Sequence, residues 1–281
     1  MELALQAAVI GLIQGLTEFI PISSSAHLAL APWLFGWEDS PLVGSLEFDV
    51  FLHLGTLIAL LAYFGSDWWR FIKAGLASVR DRRIGDDPDR RLAWLLAVAT
   101  VPAAVIGFLG EDLIAEAFHT NTSSAHLAIA AFLVIGATVL WIADRVGRRN
   151  RDLAGVDLPR ALTIGLSQAA ALLPGISRSG ATIATGLFLG LNRESAARFS
   201  FLLATPITLG AGLYGARHLL TAELPSEQLV AMLVGLVVAA VSGWVSIRFL
   251  LNWLRTRSLA VFSVERIILA AAVVILVAMG H

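Results

Sequence analysis

The chain has 281 residues, of which 57% are hydrophobic and 15% charged, with a mean hydropathy of +0.79. Soluble domains run at about 45–50% apolar and about 25% charged residues, so neither a water-soluble enzyme nor a disordered chain fits. The formal net charge of −1 is uninformative, while the lack of cysteine excludes disulfides, thiolate metal sites and cysteine catalysis.

The chain begins Met1-Glu2 with no basic stretch before its apolar run, so the first segment is expected to belong to the mature fold. A helix crosses the hydrocarbon core in about 20 apolar residues. Segments near 48–64, 92–110, 125–143, 196–215, 229–251 and 265–280 meet that requirement, with His53 in the first and Pro206 in the fourth. Two further stretches are apolar but broken. Gly11 to His27 contains Pro21 and Ser23-Ser24-Ser25, and Gly165 to Gly180 contains Pro174 and Ser177-Arg178-Ser179. Broken helix at membrane depth survives only where protein or a water-filled cavity covers it, so each stretch predicts a re-entrant hairpin, near 5–34 and 160–191. The expected fold is therefore an all-α polytopic membrane protein with about six transmembrane helices and two re-entrant helical hairpins.

The broken stretches align at an offset of 154: Gly11, Leu12 and Gln14 fall on Gly165, Leu166 and Gln168, and Ile22, Ser23 and Ser25 on Ile176, Ser177 and Ser179. Paired interruptions of this kind predict an inverted-topology repeat with a site at the repeat interface. The chain then reads as one integral-membrane domain, 1–281, made of repeats 1–144 and 155–281. With the first hairpin entering from outside and the second from inside, a loop at 65–91 (Arg70, Lys73, Arg80, Arg82, Arg83, Arg90, Arg91) and a second holding Arg145, Arg148, Arg149, Arg151 and Arg160 lie inside. Arg266 is assigned to the same inner interface. Arg217 alone stays outside, with Glu38, Asp39, Glu47, Glu111, Asp112, Glu223 and Glu227. The positive-inside rule favours this orientation, which puts both termini outside.

Glu18, His27, His53 and Arg178 remain at membrane depth, where ionisable groups are costly and point to function. Gln14 and Glu18, four apart on one helix face, offer an amide oxygen and a carboxylate, a set that suits a hard cation such as Mg²⁺ or Ca²⁺. Ser23, Ser24 and Ser25 precede His27, which supplies a nucleophile and a base, although a hairpin serine also serves as a helix cap. His53 is expected to pack or hydrogen-bond within its own helix. Around Arg178, the small residues Gly175, Ser177, Ser179 and Gly180 free backbone N–H groups at a helix start, and Thr182 adds a hydroxyl. The guanidinium fork of Arg178 suits phosphate oxygens, and in the empty site it can pair with Glu18. These parts describe a phosphate site inside a membrane, reached by a lipid phosphate.

At these residues the chain resembles the undecaprenyl pyrophosphate phosphatase family, the integral-membrane type associated with bacitracin resistance. The motifs are Gln14-x-x-x-Glu18-Phe-x-Pro21-x-Ser-Ser-x-x-His27 and Pro174-Gly-x-Ser-Arg-Ser-Gly180, with Phe48–Thr56 and Glu194–Phe201 as further stretches. The resemblance runs over essentially the whole chain. It implies removal of one phosphate from the C55 isoprenyl pyrophosphate, which recycles the carrier for peptidoglycan synthesis. It also implies a divalent cation, an inner-membrane location, a site facing the periplasm, and interlocked inverted repeats. The family's acidic pair falls on Gln14 and Glu18, its serine on Ser24, its histidine on His27 and its arginine on Arg178. Many members carry glutamate where this chain has Gln14, so the second metal carboxylate is missing here. Either Ser24 or His27 attacks phosphorus. The partners implied are the polyprenyl pyrophosphate and membrane lipid, with a homodimer allowed and no nucleic acid. A transporter or flippase of polyprenyl phosphate would use the same phosphate site.

Overall fold

The structure is a computed structural model. It describes residues 1–118, 122–219 and 225–280, and the side chains of these except 46, 111–118 and 216–219. The outward placement of Glu111, Asp112, Arg217 and Glu223 therefore lies outside the described residues. The described residues form ten α-helices and no strand beyond one isolated bridge between Arg151 and Leu191. In chain order they are α1 (Glu2–Phe19), α2 (Ser24–Phe35), α3 (Leu46–Arg80), α4 (Pro88–Phe118), α5 (Ser123–Val146), α6 (Leu158–Ser167), α7 (Arg178–Phe188), α8 (Arg193–Leu219), α9 (Ser226–Leu254) and α10 (Ala260–Ala278).

Six helices are long and apolar enough to cross a membrane: Glu47–Arg80, Pro88–Gly110, Ser123–Val146, Arg193–Gly215, Ser226–Leu254 and Ala260–Ala278. They contain the six apolar runs read from the sequence. Their outward faces carry Phe108, Leu109, Val241, Val264 and Ile268, all exposed, as a surface solvated by lipid rather than water requires. One expectation changes. The loop at 65–91 is mostly helix, because α3 continues to Arg80 and at 35 residues extends about 52 Å. The extension is amphipathic, with Phe71 buried, Trp69 exposed and the Lys73 ammonium 5.2 Å from the Trp69 ring centroid, so charge there does not break the helix.

The arginine-rich ends of the helices are tied to one another. Arg198 Nη2 donates to Asp67 (2.6 Å), Arg193 Nε to Asp144 (2.5 Å), the Leu259 amide to Asp144 (3.1 Å) and Arg91 Nη2 to the Val156 carbonyl (2.6 Å). The basic segments of 67–91, 144–160, 193–198 and 255–259 thus share one end of the bundle.

The two broken stretches are each a pair of helices joined by a short turn, α1–α2 and α6–α7. α1 lies against α9, and α6 against α4. A Cβ at Gly11 would sit 2.4 Å from the Gly235 carbonyl oxygen, and one at Gly165 would sit 2.0 Å from that of Ala99. These two glycines are the pair aligned by the 154-residue offset, and each lets a short helix touch the backbone of a long one. α3 packs on α8, and α5 on α10. A buried cluster of Ala26, Leu30, Ile129, Leu133, Ala270 and Val273 locks α2 between α5 and α10, which holds the first turn against the second.

Candidate active site

The site forms where the two turns meet. α1 ends at Phe19, and Ile20 is extended ahead of Pro21, as the residue before a proline prefers. The chain then re-enters helix at Ser23, whose hydroxyl accepts the Ala26 amide (3.4 Å). Ser177 does the same for α7, accepting the Gly180 amide (3.1 Å). Both caps have positive φ, 77° at Ser23 and 68° at Ser177, a costly conformation for a residue with a Cβ and one concentrated at functional sites. Ser25 Oγ lies 3.2 Å from Ser23 Oγ, and Ser179 Oγ 3.1 Å from Ser177 Oγ, so the turns match in detail. They are also bonded to each other: the Gly175 amide donates to Ser23 Oγ (3.0 Å), and Ser179 Oγ donates to the Ile20 carbonyl (3.4 Å).

Glu18 is the hub. Arg178 Nη2 donates to its Oε1 (2.6 Å), while Ser24 Oγ (2.6 Å) and Gln14 Nε2 (3.0 Å) donate to Oε2. The expected pair of Arg178 and Glu18 is therefore present, bridging two segments 160 residues apart. Arg178 Nη1 is anchored by Thr208 Oγ1 (2.9 Å) on α8, which leaves the guanidinium fixed and only partly enclosed. The N-termini of α2 and α7 both end here, adding two positive dipole ends and free N–H groups. Carboxylate, hydroxyl and guanidinium in hydrogen-bond contact can hold a phosphoryl group, deprotonate a hydroxyl and neutralise equatorial oxygens.

Other expected residues lie at the edges of this cluster. His27 Nδ1 donates to the Ser23 carbonyl (2.8 Å), and its Nε2 lies 3.3 Å from Glu265 of α10; Ser24 is directed to Glu18 instead. Thr182 is buried between α7 and α8, bonded to the Arg178 carbonyl (2.8 Å) and Ser200 Oγ (2.6 Å). Gly175 sits in the turn at φ 111°, which its lack of a Cβ permits. Among the described residues no group of three His, Cys, Asp or Glu could hold a metal, but Gln14 Oε1 is buried beside Glu18 without a partner.

Four residues enter that the sequence reading did not place here. His53 bonds the Asp49 carbonyl within its helix (2.7 Å), as expected, yet its Nε2 also approaches Glu18 to 3.8 Å. Thr208 and Glu265 were not singled out. Arg266, assigned to the inner interface, is instead fully buried and donates to the Ile176 carbonyl (3.0 Å) in the second turn.

Residues 7–272 match the family model described as bacitracin resistance protein BacA. The chain is 45% identical to an undecaprenyl-diphosphatase of Pelobacter propionicus, with 98% of each chain covered. It is 44% identical to one of Thermomicrobium roseum over 98% of this chain and 99% of that one. A third, from Moorella thermoacetica, is 46% identical over 96% of both. With the match spanning both turns, five of the long helices and most of the sixth, the chain belongs to the bacitracin resistance protein BacA family.

Proposed function

We propose that this membrane enzyme removes the terminal phosphate of undecaprenyl pyrophosphate, yielding undecaprenyl phosphate and inorganic phosphate. The observation that carries this reading is the contact of Ser24, Glu18 and Arg178 at the meeting of two helix N-termini, in a chain similar over nearly its full length to undecaprenyl-diphosphatases. Ser24 Oγ attacks the terminal phosphorus and passes its proton to Glu18 Oε2, 2.6 Å away. The bond from that phosphorus to the bridging oxygen breaks, undecaprenyl phosphate leaves, and water then releases the phosphate from serine. Arg178 and the N–H groups at the start of α7 neutralise the oxygens of the transferring group. His27, held between Ser23 and Glu265, is the other candidate nucleophile. Its Nδ1 is committed to the Ser23 carbonyl and its Nε2 faces Glu265, so attack by Nε2 requires the ring to leave that carboxylate.

Gln14 and Glu18 fit a divalent cation, Mg²⁺ or Ca²⁺, because they offer one carboxylate and one buried amide oxygen without a partner. Such an ion, held by Gln14 and Glu18, would supply additional charge neutralisation at the diphosphate. The remaining phosphate-binding groups are Ser23, Ser25, Gly175, Ser177 and Ser179, with Thr182 supporting Arg178 from behind.

We read the two turns as re-entrant hairpins of an inverted repeat, 1–144 and 155–281. The reciprocal packing of α1 on α9 and α6 on α4, the matched serine caps and the matched glycines support it. The arginine-rich end then faces the cytoplasm of a plasma membrane and the site opens to the periplasm, with the termini on that side. The test is phosphate release from a C55 isoprenyl pyrophosphate by purified protein in detergent, with and without chelator. Stoichiometric phosphate release that chelator suppresses supports the enzyme; saturable lipid binding with no phosphate release favours a polyprenyl-phosphate carrier.

A further inference from the structure

The hydrogen bonding at the meeting of the turns is incomplete. Arg178 and the N-termini of α2 and α7 are opposed there by Glu18, and Arg266 adds a second cation. Arg266 lies on α10 inside the span Ala260–Ala278 and has 0% of its surface exposed. Its Nη2 donates to the Ile176 carbonyl (3.0 Å), while Nε and Nη1 are buried with no partner. The neighbouring carboxylate, Glu265, is the nearby opposite charge, but its Oε1 is turned to His27 and its buried Oε2 bonds nothing. Glycines make the room: a Cβ at Gly136 would come within 2.5 Å of Nη1, and one at Gly180 within 2.6 Å of Nη2. Gly180 belongs to the first turn of α7, so the guanidinium sits at the positive end of a helix dipole, where a cation is disfavoured. Burying a charge with one hydrogen-bond acceptor, two unpartnered nitrogens and a neighbouring carboxylate that is directed to His27 destabilises the empty fold. A group kept under those terms is matched by something that arrives.

We infer that Arg266 is a positioning residue for the diphosphate: a fixed buried cation that raises the affinity of the Ile176–Arg178 turn for a polyanion without touching it. The inference rests on the diphosphatase reading. The polyanion adds negative charge that Glu265, directed to His27, supplies only in part, and the hydrogen bond to Ile176 ties the guanidinium to the turn carrying Arg178.

The test compares Arg266→Met and Arg266→Lys with the parent protein, by KM and kcat on C55 isoprenyl pyrophosphate and by thermal unfolding in detergent with and without inorganic pyrophosphate. Methionine of similar bulk should leave the unliganded melting temperature equal or higher, because replacing a buried charge by an apolar side chain is often neutral or stabilising. It should raise KM about tenfold or more, with a smaller fall in kcat, and shrink the pyrophosphate-induced melting shift. Lysine keeps the charge and should recover KM to within a few fold. A methionine variant that melts lower with unchanged KM, or does not accumulate as folded protein, makes Arg266 a mechanical strut and overturns the inference. A lysine variant with KM as poor as methionine overturns it too. If the parent releases no phosphate, the diphosphatase reading falls, while the melting shifts with pyrophosphate still decide the role of Arg266.

Discussion

Replacing Arg178 by lysine isolates what the guanidinium does beyond carrying charge. Arg178 spans three acceptors, with Nη2 on Glu18 Oε1 (2.6 Å), Nη1 on Thr208 Oγ1 (2.9 Å) and Nη1 near the Ala204 carbonyl (3.4 Å). A lysine ammonium is one point of charge on a shorter reach, and it cannot hold Glu18 and Thr208 while presenting parallel N–H groups to phosphate. Losing one charge-assisted hydrogen bond in the transition state costs about 1.5–3 kcal/mol, or roughly 10- to 150-fold in rate. The side chain is only 17% exposed, so water does little to fill the gap. We expect kcat to fall on the order of 10²-fold with a smaller change in KM, measured as phosphate release at saturating lipid. Thr208→Val is the control, removing the anchor while leaving the fork, and should cost about 2- to 12-fold. Near-parental turnover in the lysine variant would refute the argument, because positive potential alone would then suffice.

Three further outcomes follow from the same contacts. Gln14→Glu should lower the cation concentration needed for half-maximal turnover, since a second carboxylate joins Glu18; unchanged metal dependence removes residue 14 from the ion site. Ser24→Ala should be severely impaired and His27→Ala much less so, because Ser24 is bonded to Glu18 and His27 to Glu265, read by phosphate release. Substantial turnover in Ser24→Ala with acid-labile phosphohistidine would transfer the attack to His27. Gly165→Ala would drive a Cβ to 2.0 Å from the Ala99 carbonyl and should lower stability by about 1–3 kcal/mol in thermal unfolding, whereas Gly210→Ala, with open space around it, should not.

The spans were legible because apolar runs of helix-spanning length have few other uses, and all six recur in the structure. The turns were legible for a related reason: Pro21, Pro174 and the serine clusters interrupt runs that otherwise read as continuous. What sequence could not provide was which long helices close over the turns. His53 makes the local bond expected of it, so nothing in its spacing signals that its other nitrogen faces Glu18. Thr208 sits in an apolar span one hydroxyl among several, and its role depends on α8 lying beside α7. Glu265 and Arg266 could have been found. They are adjacent ionisable residues at the start of an apolar run, the criterion that singled out Glu18, but Arg266 was assigned to the inner interface with the other arginines and Glu265 was passed over. The loop at 65–91 misled for the opposite reason, since arginines and a lysine on an amphipathic helix resemble a solvated loop in composition.

On the proposed re-entrant reading, the pairing of the turns accounts for a site at membrane depth. A chain that breaks its helix inside a bilayer exposes amides and carbonyls that lipid cannot satisfy. Here each turn supplies part of what the other lacks: the Gly175 amide is taken by Ser23, and the Ile20 carbonyl by Ser179. Serine is suited to both tasks, because its hydroxyl caps its own helix and still accepts or donates across the gap. Bringing those groups into register also brings the last turn of α1 against the first turn of α7, and hence Glu18 against Arg178. The contacts that make a broken helix tolerable and those that assemble the proposed phosphate site are therefore one set. A variant that separates the turns, or that removes the charge of Arg178 and strands the buried Glu18 carboxylate, should lose site and stability together, whereas Ser24→Ala should lose only the chemistry.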